Sequence, residues 1–198
     1  LTGVFAVSRY LLTCFEDGLN AADLSGLVRR VTPHGVDPQG DAASLIAQKQ
    51  KNIVITGRMV PEKGMLEAAQ ALAKILPKYP DWTARFIGAR RFATAAASPY
   101  EKAVASTLTP LGKQARSLGF VPLDVVRREQ AAAAIAIVPS VWQEPAGRVV
   151  LEALASGCAL ITTKRGGIPE YAQARSLILN TVTADDIADA LDQLLSDD

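Results

Sequence analysis

Short β-rich runs alternate with helical runs from about residue 50 to the end of the chain, and this alternation restricts the fold more than any other feature. The six β-rich runs are NIVITG (52–57), TARFIG (83–88), RSLGFV (116–121), IAIVPS (135–140), ALITT (159–163) and SLILN (176–180). Each run ends near a Gly, Pro, Ser, Thr or Asn and precedes a helical run. Apolar strands that alternate with helices predict a parallel sheet covered on both faces. The predicted fold class is therefore α/β, a doubly wound Rossmann-like domain.

The first part of the chain has a different pattern. VFAVS (4–8) and RRVTPHGVD (29–37) are predicted to be short strands around a helix at 10–17. We expect residues 1–37 to form an inter-domain hinge and a strand-helix segment packed on the main domain, which comprises residues 38–198. The Ala-rich run ATAAAS (93–98) is predicted to be a loop. Because the chain begins with Leu1 and not Met, we expect it to be a piece of a longer protein.

Composition and charge exclude several classes of function. The chain has 198 residues, 49% of them hydrophobic, which is enough to bury the core of one domain. A net charge of +1 gives no basic footprint for nucleic acid, and no Lys/Arg cluster for acidic lipid is present. No signal peptide is visible, and the longest apolar runs are too short to cross a bilayer. Two distant cysteines, Cys14 and Cys158, indicate a reduced intracellular protein.

Ligands of open α/β sheets bind at the carboxyl ends of the strands, so the residues after each strand are the candidates for a site. The first strand is followed by GRMVPEKG (57–64). In it, Gly57 allows close approach to the backbone, and Arg58 and Lys63 bracket the start of the next helix. Cations at a helix N-terminus are unfavourable unless an anion lies between them, which predicts a phosphate or diphosphate. The alternative is two solvated surface cations.

Two common nucleotide-binding motifs are absent from the strand ends. The loop GRMVPEKG lacks the Gly-Lys-Ser/Thr ending that holds a triphosphate and its magnesium. The run GARRF (88–92) lacks the second and third glycines of a dinucleotide fingerprint. These differences argue against an ATPase and against an NAD enzyme.

The stretch QEPAGRVVLEALASG (143–157) contains two carboxylates, one before an apolar helix and one inside it. The helix over residues 147–155 is apolar on nearly every face and is predicted to be buried. A buried, ionised Glu152 needs hydrogen-bond donors, and the two hydroxyls of a ribose or sugar are suitable. A ligand with its diphosphate at the helix end could place one diol near Glu152 and another near Glu144. The alternative is that Glu152 pairs with Arg148 at i, i+4 and Glu144 caps a neighbouring group.

Four motifs, in order along the chain, resemble those of one family. EPAGRVVLEALASGCALITTKRGGIPE (144–170) resembles the donor-binding signature of the retaining glycosyltransferases of the group 1 family, which have the GT-B fold. The loop GRMVPEKG is similar to the phosphate loop of that family. VTPHGVD (31–37) is similar to its Pro-Asn-Gly-Val-Asp hinge, and SLGFVP (117–122) to its Leu-Gly-x-Val segment. The resemblance is collinear from about Val4 to Leu195.

The resemblance implies a role for each matching residue. Arg58 and Lys63 would bind the diphosphate of a nucleoside diphosphate sugar, and Glu144 would contact hydroxyls of the transferred sugar. These three are the candidate catalytic residues. Glu152 would hold the ribose diol. The other donor-binding groups would be backbone at the helix start and backbone that meets the base: Ala146, Gly147, Arg148, Phe120 and Val121.

Two positions depart from the family pattern. His34 stands where the hinge usually has Asn, and Ala146 stands where a Phe is common, which would loosen or reshape the sugar pocket. The catalytic-site histidine of the family belongs to an N-terminal domain that nothing here matches, so we expect a hinge or structural role for His34. The chain has no Asp-x-Asp motif and no His/Cys cluster. Therefore no metal ion and no other cofactor is expected, and the nucleotide sugar is a substrate.

The resemblance implies the C-terminal, donor-binding half of an enzyme that moves a hexose to an acceptor hydroxyl with retention, in glycan or cell-surface polysaccharide synthesis. A glycan or lipid-linked acceptor would bind the N-terminal domain, which is absent from this chain, so the isolated chain is expected to be inactive. The expected location is the cytoplasm, either free or peripheral at the inner membrane face. Two alternatives stay open: a non-catalytic nucleotide-sugar binding module, and a sugar-nucleotide epimerase of similar architecture.

Overall fold

Strands and helices alternate along the chain, as the apolar pattern predicts. The computed structural model describes residues 2–37, 40–91, 96–173 and 176–196. The strands in these ranges are β1 (Gly3–Ala6), β2 (Val28–Val31), β3 (Gln50–Thr56), β4 (Thr83–Ile87), β5 (Ala115–Gly119), β6 (Ala133–Val138), β7 (Ala159–Thr163) and β8 (Ser176–Leu179). The helices are α1 (Arg9–Asp17), α2 (Ala21–Leu24), α3 (Ala42–Ala47), α4 (Met65–Ile75), α5 (Pro99–Leu108), α6 (Leu123–Ala132), α7 (Arg148–Ala155), α8 (Ile168–Ala172) and α9 (Ala184–Leu195).

Strands β3 to β8 form one sheet in the order β5-β4-β3-β6-β7-β8, and every neighbouring pair is parallel. The predicted doubly wound α/β fold is confirmed. The chain runs from β3 outward to β4 and β5, then returns to β6 on the other side of β3 and continues to β8. The strand order therefore reverses between β3 and β6. In open α/β sheets such a reversal opens a crevice at the carboxyl edge, where ligands bind.

Each face of the sheet packs against its own set of helices. Successive residues of a strand point to opposite faces, so Ile53 and Ile55 enter one core and Val54 enters the other. Helices α4, α5 and α9 cover the first core, in which Phe86 and Leu72 are fully buried. Helices α6, α7 and α8 cover the second. Burial on both faces explains why these strands are apolar runs without polar alternation.

The structure corrects several local predictions. The strand predicted at 29–37 is shorter, since β2 ends at Val31, and helices α2 and α3 were not predicted. The predicted burial of the helix at 147–155 is wrong: of the residues in α7, only Val150 and Ala153 are buried. Its apolar residues cover the sheet with one face and leave the other partly open. Of the predicted loop at 93–98, residues 93–95 lie outside the described ranges, and 96–98 have no regular structure.

The first 37 residues contact the main sheet domain through α8. The side chain of Glu170 accepts hydrogen bonds from the backbone amides of Arg9 at 2.7 Å and Tyr10 at 2.8 Å, at the start of α1. A carboxylate is a favourable acceptor for the free amides of a helix N-terminus. The Tyr171 hydroxyl donates to the carbonyl of Val7 and accepts from the backbone amide of His34 at 3.1 Å. His34 thus contributes its main chain, not its imidazole, to this contact.

Lys49 forms hydrogen bonds with the C-terminal ends of both α6 and α7. Its ammonium donates to the carbonyl oxygens of Ala131 at 3.0 Å and Ser156 at 2.6 Å. Free carbonyls at a helix C-terminus carry partial negative charge, so a cation there is favourable. Burial lowers the pKa of Lys49 from its ordinary value. This contact fixes α7 from the end opposite the strand crevice.

Gly64 brings the loop before α4 against the end of β6. Its φ of 65° lies in the left-handed region, and a Cβ atom at this position would lie 2.0 Å from the carbonyl oxygen of Pro139. Only glycine meets both conditions without strain. The loops after β3 and β6 therefore touch directly at the reversal point of the sheet.

We expect Gly64→Ala to lower the free energy of unfolding by about 3 kcal/mol, from a left-handed alanine plus a backbone overlap. The matched control is Gly26→Ala, which has a similar φ of 70° but nothing within 4 Å of the added Cβ. This control should lose only about 1 kcal/mol. Urea denaturation of both variants gives the values. Equal losses would contradict the close approach of Gly64 to Pro139.

Candidate functional site

Two adjoining cavities open at the carboxyl ends of β3 to β6, and a third lies beside the first. The first has a volume of about 320 Å³ and is bordered by the loops after β3 and β6. The second, of about 240 Å³, shares Thr56, Gly57 and Arg58 with the first and extends toward the loop after β5. The third, of about 290 Å³, shares Arg148 with the first and continues between α6 and α7. The first cavity lies between the ends of β3 and β6, at the crevice where the strand order reverses.

All nine residues predicted for the site border one of these cavities. Six line the first: Arg58, Lys63, Glu144, Ala146, Gly147 and Arg148. Phe120 and Val121 line the second. Glu152 lines the third. The structure therefore brings together residues from three separate segments, 58–63, 120–121 and 144–152, but it divides them among three neighbouring cavities.

Two positive features border the first cavity. Arg58 follows β3 directly, its side chain is exposed, and it forms no ion pair with a carboxylate in the described part of the chain. The second feature is the N-terminus of α7, which begins after Gly147 without a side-chain cap. Its first amides therefore have no side-chain acceptor. A cation next to uncapped helix amides is a favourable place for an anion.

Lys63 and Glu144 form an ion pair across the first cavity. The ammonium of Lys63 donates to Oε1 of Glu144, and the two side chains are only 23% and 12% exposed. The hydroxyl of Ser140 donates to the same oxygen at 2.8 Å. The family resemblance assigned Lys63 and Glu144 to different parts of a ligand, and their pairing was not predicted. The ion pair leaves two N–H groups of Lys63 for other acceptors.

The loop that carries Glu144 is held by the Gly-Gly turn before α8. The amide of Gly167 donates to the carbonyl of Glu144 at 2.7 Å, and the amide of Gly166 donates to the side chain of Gln143 at 2.5 Å. A Cβ atom on Gly166 would lie 2.1 Å from the carbonyl oxygen of Glu144, so the turn requires glycine there. From the other side, Ser8 donates to the carbonyl of Pro145. The loop is thus fixed by main-chain contacts from two distant segments.

Glu152 forms the alternative contact considered from the sequence. Its carboxylate accepts a hydrogen bond from Arg148 at 3.1 Å, at i, i+4 on α7. Arg148 is 72% exposed and Glu152 is 25% exposed, so this pair is accessible to solvent. An exposed pair of this kind is weak, about 0.5 kcal/mol, and a ligand can displace it. The two glutamates border different cavities, and the expectation that one ligand reaches both stays a prediction.

The second cavity is mainly apolar and lies next to a close backbone contact. Its lining includes Phe120, which is 47% exposed, together with Val121 and Val126. A Cβ atom on Gly88 would lie 1.9 Å from the carbonyl oxygen of Gly57, so the loops after β3 and β4 touch here. Arg90 and Arg91 also line this cavity, and sequence analysis did not identify them. An apolar cavity next to exposed cationic groups is suited to a nucleotide base.

Two features are absent from the part of the chain that the structure describes. In residues 2–37, 40–91, 96–173 and 176–196, no group of three His, Cys, Asp or Glu side chains is placed to hold a metal ion. Within the same ranges, no helix has the length and apolar character needed to cross a membrane.

The sequence and the fold are similar to those of known proteins. The sequence profile of the family described as Glycosyl transferases group 1 matches residues 37–198. Spore coat protein SA of Bacillus subtilis is 32% identical over 153 residues, which are 76% of this chain and 40% of that protein. A lipopolysaccharide 1,2-N-acetylglucosaminetransferase of Salmonella typhimurium is 26% identical over an alignment of 208 positions, which covers 98% of this chain and 51% of that protein. The chain therefore spans about half or less of these curated relatives.

Two solved structures have the same fold. The C-terminal domain of LpcC, a glycosyl transferase group 1 family protein from Francisella tularensis, has a TM-score of 0.67 and 31% identity, and covers 82% of this chain and 89% of that domain. HepE from Anabaena, solved in complex with UDP and glucose, has a TM-score of 0.78 and 23% identity, and covers 99% of this chain and 54% of its own. Both matches identify the fold as the C-terminal half of a GT-B protein.

We expect Lys63→Met to lower the free energy of unfolding by about 1–3 kcal/mol, because it leaves a mostly buried carboxylate without its counter-ion. The matched control is Lys74→Met, which breaks the exposed pair with Asp185 and should cost less than about 1 kcal/mol. Thermal and urea unfolding of both variants provide the comparison. Equal, small losses would contradict a stabilising role for the Lys63–Glu144 pair.

Proposed function

This chain belongs to the group 1 family of glycosyl transferases, and on that premise we propose that it is the donor-binding half of a retaining glycosyltransferase. The intact protein transfers a hexose from a nucleoside diphosphate sugar to an acceptor hydroxyl, in glycan or cell-surface polysaccharide synthesis. The Salmonella relative, a lipopolysaccharide 1,2-N-acetylglucosaminetransferase, supports a role of this kind. Residues 1–37 include the hinge to a second domain, which binds a glycan or lipid-linked acceptor.

The observation that carries this proposal is the convergence of the candidate residues on three adjoining cavities. Arg58 and Lys63 come from the loop after β3, Phe120 and Val121 from the loop after β5, and the other five from the loop after β6 and from α7. These three segments are far apart in sequence, and the loops after β3 and β6 meet where the strand order reverses. That location is the usual ligand site of open α/β sheets.

The charges of the first cavity suit a diphosphate. Lys63 and Glu144 largely cancel each other, so the uncompensated positive charge comes from Arg58 and the free amides of α7. Lys63 keeps its contact with Glu144 and still donates to a phosphate oxygen through its other N–H groups. Negative charge develops on the diphosphate as the sugar departs. Fixed donors at that position lower the barrier for this step.

The family resemblance assigns the remaining residues to the other parts of the donor. Glu144 accepts hydrogen bonds from hydroxyls of the transferred sugar, next to the phosphate end of the first cavity. Glu152 exchanges its weak pair with Arg148 for the ribose diol. Backbone at Phe120 and Val121 meets the base in the second cavity. The small Ala146 widens the first cavity near the sugar, and no resident metal takes part in donor binding.

Saturation-transfer NMR with UDP-glucose, ADP-glucose and GDP-glucose tests the proposal. At least one of them should bind, and Arg58→Gln should weaken that binding about tenfold through loss of a charged hydrogen bond to phosphate. The control is Arg116→Gln, which removes an exposed arginine on β5 outside all three cavities. Binding of none of the three, or equal losses in both variants, would contradict donor binding at this crevice.

Donor binding is expected to be unchanged by EDTA, because Arg58, Lys63 and helix amides supply the positive charge. Calorimetry of the chain with its nucleotide sugar, with and without EDTA, measures this. A control titration adds magnesium after EDTA. Binding that EDTA abolishes and magnesium or manganese restores would refute metal independence.

The two glutamates are expected to respond differently to substitution. Glu152→Gln weakens charged hydrogen bonds to the ribose, each about 1.5–3 kcal/mol, so the free nucleoside diphosphate should bind about tenfold or more weakly. Glu144→Gln should leave the affinity for the free diphosphate nearly intact, because its partners are on the sugar. Calorimetric titration of both variants with the diphosphate gives the two affinities.

Melting curves of the same two variants provide the control. If the glutamates only stabilise the fold, both variants lose thermal stability and neither changes nucleotide affinity selectively. Wild-type affinity in Glu152→Gln would rule out the ribose contact and leave the Arg148 pair as the whole role of Glu152.

A further inference from the structure

One carboxylate oxygen of Glu144 accepts two hydrogen bonds, and the other accepts none from a described residue. Oε1 accepts from the ammonium of Lys63 and from the hydroxyl of Ser140, the latter at 2.8 Å. No described residue donates a hydrogen bond to Oε2. Glu144 borders the first cavity and is only 12% exposed. The arrangement therefore presents one particular oxygen of this carboxylate to whatever occupies the cavity.

Ser140 is itself firmly held at the end of β6. The residue is 2% exposed, and its carbonyl accepts a hydrogen bond from the hydroxyl of Thr163 on β7 at 2.9 Å. The main chain of Glu144 is fixed separately by the amide of Gly167. Both ends of the Glu144 side chain are thus attached to rigid parts of the sheet edge.

Lys63 and Ser140 contribute differently to this attachment. The lysine ammonium is a point charge on a flexible stem with rotatable donors, so it neutralises the carboxylate without fixing its orientation. The serine hydroxyl extends only one carbon from a buried main chain and approaches from a fixed direction. The orientation of the carboxylate therefore depends on Ser140 more than on Lys63.

We propose that Ser140 is a positioning residue that turns Oε2 of Glu144 toward the hydroxyls of the transferred sugar. This inference rests on the proposed function and adds to it the group that orients Glu144. Ser140 does not touch the donor. It acts through Glu144, so it should affect the sugar part of the donor and not the nucleotide part.

Calorimetry with UDP and UDP-glucose tests the proposal. If the uridine nucleotides do not bind, ADP with ADP-glucose and GDP with GDP-glucose are used in the same way. The measured quantity is the ratio of the two Kd values, free diphosphate over nucleotide sugar. Ser140→Ala should lower this ratio about three- to tenfold, as expected for one misdirected hydrogen bond. The Kd of the free diphosphate should stay within about twofold. Ser140→Cys keeps a weaker donor of similar size and should retain part of the ratio.

The matched control is Thr162→Val, which removes another buried hydroxyl near the same strand ends. That hydroxyl donates to the carbonyl of Val138 at 3.0 Å and has no contact with Glu144. Each variant should lose about 2–4 °C in Tm, but only Ser140→Ala should change the Kd ratio. A wild-type chain that binds no diphosphate and no nucleotide sugar overturns the proposed function and this inference with it. If the wild type binds, three results overturn this inference alone. They are a wild-type Kd ratio near one, a Kd ratio that Ser140→Ala leaves unchanged, and a Kd ratio that Thr162→Val lowers as much as Ser140→Ala does.

Discussion

The main-chain contact between the Gly-Gly turn and the Glu144 loop is the interaction on which the site depends. The hydrogen bond from Gly167 to the carbonyl of Glu144 joins the end of β7 to the loop after β6, and Gly166 leaves no room for a side chain at this contact. The same loop leads into α7 and determines where its free amides lie. If the loop moved, the carboxylate of Glu144 and the helix N-terminus would lose their common orientation. The glycines of this turn therefore determine the position of the Glu144 loop in the crevice. Helix α8 follows the turn and binds the first 37 residues through Glu170 and Tyr171.

The two ion pairs at the crevice differ in burial and therefore in how easily their partners exchange. The Lys63–Glu144 pair is mostly buried and has additional support from Ser140, whereas the Arg148–Glu152 pair is open to solvent. Desolvated, hydrogen-bonded pairs resist exchange, and exposed pairs exchange easily. One acid is therefore fixed in place and the other is free to change partners. A site that must hold one part of a donor rigidly and accommodate another part would benefit from this difference.

The sheet and most helices could be predicted from the sequence, because strands buried on both faces are apolar runs and their ends carry turn residues. Ile53, Val54 and Ile55 illustrate this, since each enters a core on one face or the other. The burial of α7 was predicted wrongly, because an apolar helix next to a ligand crevice leaves part of its apolar surface open. The pairing of Lys63 with Glu144 joins residues 81 positions apart, and such contacts depend on the register of β3 against β6, which no local pattern contains. No sequence pattern indicated a role for Ser140 either, since a serine at a strand end usually belongs to a turn.

Mapping of backbone amides by NMR tests the central claim most directly. An ¹⁵N-labelled chain is titrated with the nucleotide sugar that it binds, and the changes in amide chemical shift are located on the fold. If the donor binds at this crevice, the largest changes lie at residues 56–58, 63–64, 120–121 and 146–150, around the first and second cavities. Changes centred on the groove between β8 and α9, at residues 177–193, would contradict it and place binding at the sheet edge.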